Sequence, residues 1–475
     1  MELPRSRRRV RRILTIVLTL GVAFAHGHVA WAQPAGALVQ LPRPDACTQL
    51  GGDGINCRDA IGLDGAADVA VSPDGKSVYV PSFYDSRLAV FSRDPLSGAL
   101  TQLASPAGCI ANVGDGIACQ DAVGLFGPGG VTVSPDNAHV YVASGTSSAV
   151  TIFARDQITG ALTQLAEPDG CVSEWGGGGT GCTDAYGPIS PTKVLVSPNG
   201  KHVYTVALNG GAIGAFERDE LTGKLAQLPA PEGCITATGD GVTCKPAVGL
   251  ASPRDLSFSR NGKHLYVASQ DGNAILIFQR NKITGSLTQL AAPNGCVAEN
   301  GDNVSCTAAV GLDAPTSVIV AKNGRHVYVA SFTSDGIAIF ERNPMTGVLT
   351  QLPAPDGCIR EYGDGVICSS AIGLGGAAGV VESRNGRQIY VASAQGSGVM
   401  VFERDKPSGV LTQFASPYGC LLGNGDGIVC RGGPGLSGAR SIAITRNGKH
   451  VYVAAFSGDS IATFARQKVG PPPAK

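Results

Sequence analysis

The chain has 475 residues, with 37 basic and 37 acidic side chains and a formal net charge of zero. Zero net charge excludes nucleic-acid binding through bulk positive charge, and a hydrophobic content of 43% with 16% charged residues excludes a disordered chain. Its 66 glycines, about double the usual share, point to turns rather than long helices.

The chain opens on Arg5, Arg7, Arg8, Arg9, Arg11 and Arg12, followed by an apolar run over residues 13–25. Ala30-Trp31-Ala32 then supplies a small-residue cleavage site before Gln33. This pattern predicts a secretory signal peptide over residues 1–32, cleaved after Ala32, and a secreted or periplasmic mature protein. The run is short for a bilayer and no second one follows, so no membrane span is expected. The leader holds six Arg and one Glu, so its removal leaves a mildly acidic chain. In such a compartment disulfides persist, and the 14 cysteines are read with that in mind.

From residue 33 onward one unit repeats seven times. Cysteines fall in pairs 62 or 63 residues apart: Cys47 with Cys57, Cys109 with Cys119, Cys171 with Cys182, Cys234 with Cys244, Cys296 with Cys306, Cys358 with Cys368, and Cys420 with Cys430. Tyr79, Tyr141, Tyr204, Tyr266, Tyr328, Tyr390 and Tyr452 keep the same step, as do phenylalanines from Phe91 to Phe464 that each precede x-Arg. In the second unit VTVSPD, HVYVAS, AVTIFAR and ALTQL read as four short strands separated by Pro-Asp and Thr-Gly turns. Seven such units specify an all-β, seven-bladed β-propeller of four-stranded blades, a single domain over residues 33–467. The strand predicted over residues 36–41 has no partner before it, and the last unit ends at Phe464-Ala465-Arg466 without its own ALTQL. The first strand is therefore expected to complete the last blade. Residues 468–475 read as a Pro-rich disordered tail.

The cysteine pairs lie in the long connections between blades, and a nine- or ten-residue spacing predicts seven intra-loop disulfides; pairing between neighbouring loops stays open at this level. Asp53, Asp115, Asp240, Asp302, Asp364 and Asp426 stand in Gly-Asp turns inside these loops, and the third loop carries Trp175 followed by four glycines. Zinc spacing is absent. Asp53 with Asp59, or Asp115 with Asp121, could serve calcium, but a turn role suits Asp-Gly better. No metal and no cofactor are expected. His139, His202, His264, His326 and His450 occupy one equivalent position in five blades, which makes them packing or surface residues.

What recurs in every unit serves the fold, so a site belongs where the units differ. At the start of the innermost strand the aligned residues are Asp68, Gly130, Lys193, Asp255, Ser317, Gly379 and Ser441, preceded by Ala67, Gly129, Thr192, Arg254, Thr316, Ala378 and Arg440. Asp68, Lys193, Arg254, Asp255 and Arg440 break an otherwise small, neutral ring at the channel mouth. They suit a small polar or sugar-like ligand; equally, they could pair with one another and plug the channel. A second irregular set is aromatic: Phe83, Tyr84, Trp175, Tyr186, Phe332, Tyr362, Tyr418 and Phe456. Of these, Trp175 and Phe83 are candidate ligand contacts for a sugar, glycan or protein partner, with packing of the cysteine loops as the alternative.

Units such as SPDGKSVYVPS…LAVFSRDPLSGALTQL and NGKHVYVAS…IAIFERNPMTGVLTQL resemble the lactonase-type seven-bladed propellers, which include 6-phosphogluconolactonase-like proteins and share YVTN-like repeats. The resemblance covers residues 36–467. It implies a polar site at the channel mouth that opens or closes lactone rings. In that family a Gly-Pro-Arg-His segment often begins an innermost strand; here the match is Ser252-Pro253-Arg254-Asp255, with Arg kept and His replaced by Asp. For a lactonase the resemblance implies Arg254 and Arg440 as carboxylate or carbonyl contacts and Asp255 or Asp68 as general base. The other reading is a secreted, monomeric binding module whose disulfide-pinned loops build the channel-mouth face.

Overall fold

The computed structural model describes residues 33–468, apart from 115, 175–180 and 188–189. The signal-peptide segment 1–32, Asp115, Trp175 and all but the first residue of the Pro-rich tail lie outside the described residues. Within them there is no helix, and the strands form seven six-stranded sheets, the blades of a β-propeller.

In the second blade Pro128–Val133, His139–Ser144 and Ala149–Arg155 run antiparallel, His139 facing Ala154 and Ser144 facing Ala149. The three long strands stand where Val, Ile, Tyr and Phe are densest, as β-branched and aromatic side chains suit a sheet buried on both faces. The expected fourth strand is shorter than its sequence suggests: Leu162–Gln164 pairs only with Phe153 to Arg155. The other half of that edge is filled by Cys171–Glu174, which pairs with Ala149 to Thr151. A short parallel strand, Thr183–Ala185, then adds outside it. The four-stranded unit is thereby corrected to six. The cysteine segments are outer-edge strands rather than loops, because their first residues supply ladder partners that the short Leu-Thr-Gln strand leaves open.

The N-terminal strand Leu38–Gln40 pairs antiparallel with Ser460–Arg466, Leu38 facing Arg466, and Cys47–Leu50 pairs with the same strand. First and last blades also pack together: Val78, Val80 and Phe91 share a buried cluster with Tyr452, Ala454 and Ile461. The other junctions have the same construction. Tyr79, Leu88 and Val90 of the first blade, for example, meet Val140, Val142 and Phe153 of the second. The core is thus a ring of apolar layers between blades.

A polar seam accompanies each layer. Tyr79 Oη donates to the Gly160 carbonyl of the next blade at 2.8 Å, and Arg155 Nε donates to Tyr79 Oη at 2.7 Å. The recurrent histidine accepts from the same arginine: Arg218 reaches His139 Nδ1, Arg280 His202 and Arg404 His326, each at 2.7 Å. Where the histidine is missing another acceptor stands in, Ser77 for Arg155 (3.0 Å) and Gln388 for Arg466 (2.5 Å). Tyrosine, arginine and histidine of the repeat therefore form one buried, satisfied network.

All seven disulfides close within their own segments, with no free cysteine. Asp53, Asp240, Asp302, Asp364 and Asp426 each use Oδ1 to accept backbone N–H groups two and three residues on, as Asp240 does from Val242 (2.9 Å) and Thr243 (2.7 Å). These donors hold the carboxyls of Asp53, Asp240 and Asp302 down to about 2. Asp59 Oδ1 likewise accepts from Gly52 N. The turn role is the one the geometry gives these acids.

Candidate functional site

The innermost strands are irregular at their first turn, and that irregularity builds the site. In the second to seventh blades the register shifts between the strand's first and third residues, as between Pro253 and Asp255, or Ala439 and Ser441. A bulge breaks the two-residue alternation and re-aims a side chain. Two consecutive residues per blade, such as Arg254 and Asp255, can then face the axis.

The result is one cavity of about 700 Å³ at the channel mouth, lined by Asp68, Lys193, Arg254, Asp255 and Arg440 together. Its size suits a small molecule. No described residue of the cysteine segments lines it, since the described strands of those segments sit at the outer edge of the blades. Among the described residues the cavity, expected on a face of disulfide-pinned loops, is lined instead by inner strands and by the turns after the second strand of the fourth to seventh blades.

Two of the charges satisfy each other. Lys193 Nζ donates to Asp68 Oδ2 at 2.7 Å, although the second blade lies between them in sequence. Gly130 of that blade makes room: a Cβ there would stand 2.5 Å from the Thr192 carbonyl oxygen. Asp68 also takes Ser441 Oγ on Oδ1 (2.6 Å) and Val131 N on Oδ2 (3.0 Å). Burial pulls the Lys193 pKa down, but Asp68 and Asp255 outweigh it and the net direction is up.

Asp255 plays a similar part on the far side. Its Oδ2 accepts from Ser317 Oγ (2.9 Å) and Val318 N (3.0 Å), and its Oδ1 from Leu256 N (2.9 Å). Burial raises its pKa against the opposing charge of Lys193. Each carboxylate thus ties its blade to a neighbour while keeping acceptor capacity on Oδ1.

The arginines differ. Arg254 Nε donates to Gln270 Oε1, which fixes the guanidinium without neutralising it. Arg440 lies over the Phe456 ring, 5.0 Å from its centroid, and is exposed within the cavity. Neither has a carboxylate partner within 4.0 Å among the described residues. Burial and then the like charge of Arg440 lower Arg254 to about 10, against the pull of Asp271. Loss of water around its base lowers Arg440, with Asp68 and Tyr84 opposing. A guanidinium stays cationic at neutral pH.

The aromatic set divides. Phe332 and Phe456 line the cavity; Phe83 does not, and instead packs edge-on to Tyr84 (5.7 Å) and beside Phe456 (6.5 Å). Its assignment as a ligand contact is corrected to that of a support for Phe456. Tyr418 stacks on Arg431 (5.8 Å), whereas Tyr186 and Tyr362 are exposed. Gln270 and Gln395 also line the cavity and were not anticipated. Aligning the residue after each HVYVAS segment isolates Gln270 in the way the strand starts isolate Arg254.

The family model for lactonase, 7-bladed beta-propeller, matches residues 50–172 and 242–299. The 6-phosphogluconolactonase of Bacillus subtilis is 26% identical over 220 residues, 46% of this chain and 51% of that protein; the match thus spans about half the relative's length. Among solved structures, a proposed 6-phosphogluconolactonase from Bacteroides uniformis aligns with TM-score 0.52 and 20% identity, covering 86% of this chain and 93% of the other. One from Bacteroides fragilis gives 0.50 and 21%, covering 77% and 86%. Hydrazine synthase from Kuenenia stuttgartiensis gives 0.52 and 16%, covering 85% and 96%. At these identities the structures speak for the fold alone, and a fold of this kind hosts unlike chemistries. In sequence and in architecture, the chain resembles the lactonase-type seven-bladed β-propellers.

Proposed function

We propose that this propeller binds a small anionic ligand at its channel mouth, where Arg254 and Arg440 hold a carboxylate or phosphate group. One observation carries the reading: two guanidinium groups border one cavity, and neither has a carboxylate partner among the described residues. Leaving cations unpaired in a recess is unfavourable for the fold alone, and a bound anion relieves it. The alternative of mutual pairing accounts for Asp68 with Lys193 and leaves the arginines over. Gln270 and Gln395 add neutral polar contacts suited to hydroxyl groups.

Hydrolysis of a lactone is the second reading, favoured by the match to the lactonase family. In it the Asp255 carboxylate, through its remaining Oδ1 acceptor site, draws a proton from a water whose oxygen adds to the ring carbonyl carbon while an arginine stabilises charge on the carbonyl oxygen; collapse breaks the ring C–O bond, and the departing alkoxide takes the proton back from Asp255 to give the hydroxy acid. Export to an oxidising compartment, by way of a signal peptide over residues 1–32, is part of the proposal and is supported by the seven disulfides. No helix of the described residues is long and apolar enough to cross a membrane.

The test is a thermal-shift panel of sugar acids, sugar phosphates, lactones and neutral sugars, with lactone hydrolysis followed in parallel. Shifts confined to anions support binding, and turnover lost in Asp255→Asn supports hydrolysis. Equal shifts with neutral sugars, or none with any anion, contradict the reading.

A further inference from the structure

Below the charged ring the cavity changes character. Two residues further along each inner strand, roughly 7 Å down the channel, the aligned positions carry no charge in any blade. The cavity wall at this depth is Leu195, Ile319 and Val381, with Ser257 its one polar member. The three aliphatic side chains are only half-buried, although they pack against clusters whose other members are almost wholly covered. The corresponding positions of the first, second and seventh blades, Ala70, Thr132 and Ala443, do not line the cavity. The apolar surface therefore runs down the third, fifth and sixth blades, one level below the charged ring.

We infer that the ligand is an amphipathic acid, with its anionic head at Arg254 and Arg440 and a hydrocarbon tail laid against Leu195, Ile319 and Val381. This rests on the anion-binding reading and narrows its ligand class. A wholly hydroxylated acid would leave the three aliphatic side chains in water, whereas a tail removes that surface from solvent. The bulge near the start of the inner strand sets the two levels apart: it turns consecutive charged and polar residues to the axis, and the residues lining the cavity below it are mostly aliphatic. Phe332 and Phe456, at the upper rim, shield the start of the tail.

Calorimetric titration of the purified protein with straight-chain carboxylates from acetate to decanoate, each below its micelle concentration, and with gluconate tests this. Affinity is expected to rise about fourfold per methylene while the tail lengthens along the wall, with decanoate tighter than gluconate. Ile319→Asn and Val381→Asn should each reduce the gain per methylene, and Arg440→Ala should weaken every acid in the series. Acids that bind without gain from chain length, or gluconate tighter than decanoate, would overturn the amphipathic ligand and leave the anion site standing. Failure of every carboxylate, and of inorganic phosphate titrated alongside, to bind would overturn both. Because the chain-length series on the unaltered protein suffices, the test does not depend on the variants folding.

Discussion

Lys193 of the third blade donates to Asp68 of the first at 2.7 Å, across the place where the second blade carries Gly130. The pair closes one side of the channel mouth and leaves Arg254 and Arg440 as its cations without a carboxylate partner among the described residues. It also separates two kinds of charged residue, those that hold blades together and those open to a ligand.

That separation is measurable. Asp68→Ala would leave Val131 N, Ser441 Oγ and the Lys193 ammonium without their acceptor, and a loss of about 3–5 kcal/mol is expected for such a broken pair. Arg254→Ala and Arg440→Ala remove an unpaired charge and should change stability by less than ~1 kcal/mol. Urea denaturation of the three variants checks this; equal losses in all three would remove the distinction.

Gly130→Ala addresses the same pair from the backbone. Its Cβ would meet the Thr192 carbonyl oxygen, which forces the third blade's inner strand away. A loss of about 1–3 kcal/mol is expected, together with a fall in the Lys193 pKa as Asp68 recedes. An Ala variant as stable as the parent would contradict the close approach.

At the blade junctions the histidines set an acid limit. Burial and the facing arginine lower His202, His264, His326 and His450 to about 4, from an ordinary value near 6.5. Above about pH 6.5 they are neutral whether the chain is folded or not, and their contribution is complete. Between about 6.5 and 4 the unfolded chain takes up protons that the folded one refuses, so stability falls as pH falls. The turn aspartates, held near 2, act below that window. Melting temperature should therefore drop between pH 6.5 and 4. His326→Gln, which copies the Gln388 arrangement of the sixth blade, should lessen the drop. A flat melting curve across this range would contradict the seam as described.

The tyrosine of each seam has two partners. Tyr328 Oη donates to the Gly409 carbonyl at 2.8 Å and accepts from Arg404 Nε. Tyr328→Phe leaves both unsatisfied in a buried junction, and a loss of about 1–3 kcal/mol is expected by chemical denaturation. A neutral effect would mean that water replaces the hydroxyl.

The propeller was legible because the repeat is its own control: Tyr79 and its equivalents mark the second strand of every blade. The outer strands were not. Cys171–Glu174 and Thr183–Ala185 are too short for a pattern of period two, and the glycines between cysteines mimic a loop. Comparison of blades also isolated Asp68, Lys193, Arg254, Asp255 and Arg440, since charges stand out where the remaining blades carry small neutral residues. It gave no indication that Lys193 pairs with Asp68, because a contact across the ring joins residues 125 apart through a gap that only Gly130 leaves. Phe83 was misplaced for a related reason: the alignment puts it level with Phe456, but only packing decides which ring faces the cavity.

The measurement that bears most directly on the central claim is calorimetric titration of gluconate and inorganic phosphate into the parent protein and an Arg254→Gln, Arg440→Gln double variant of matched thermal stability. The expected result is saturable binding of an anion by the parent and at least a tenfold loss in the double variant. Unchanged affinity in the double variant would place the anion elsewhere and contradict the account.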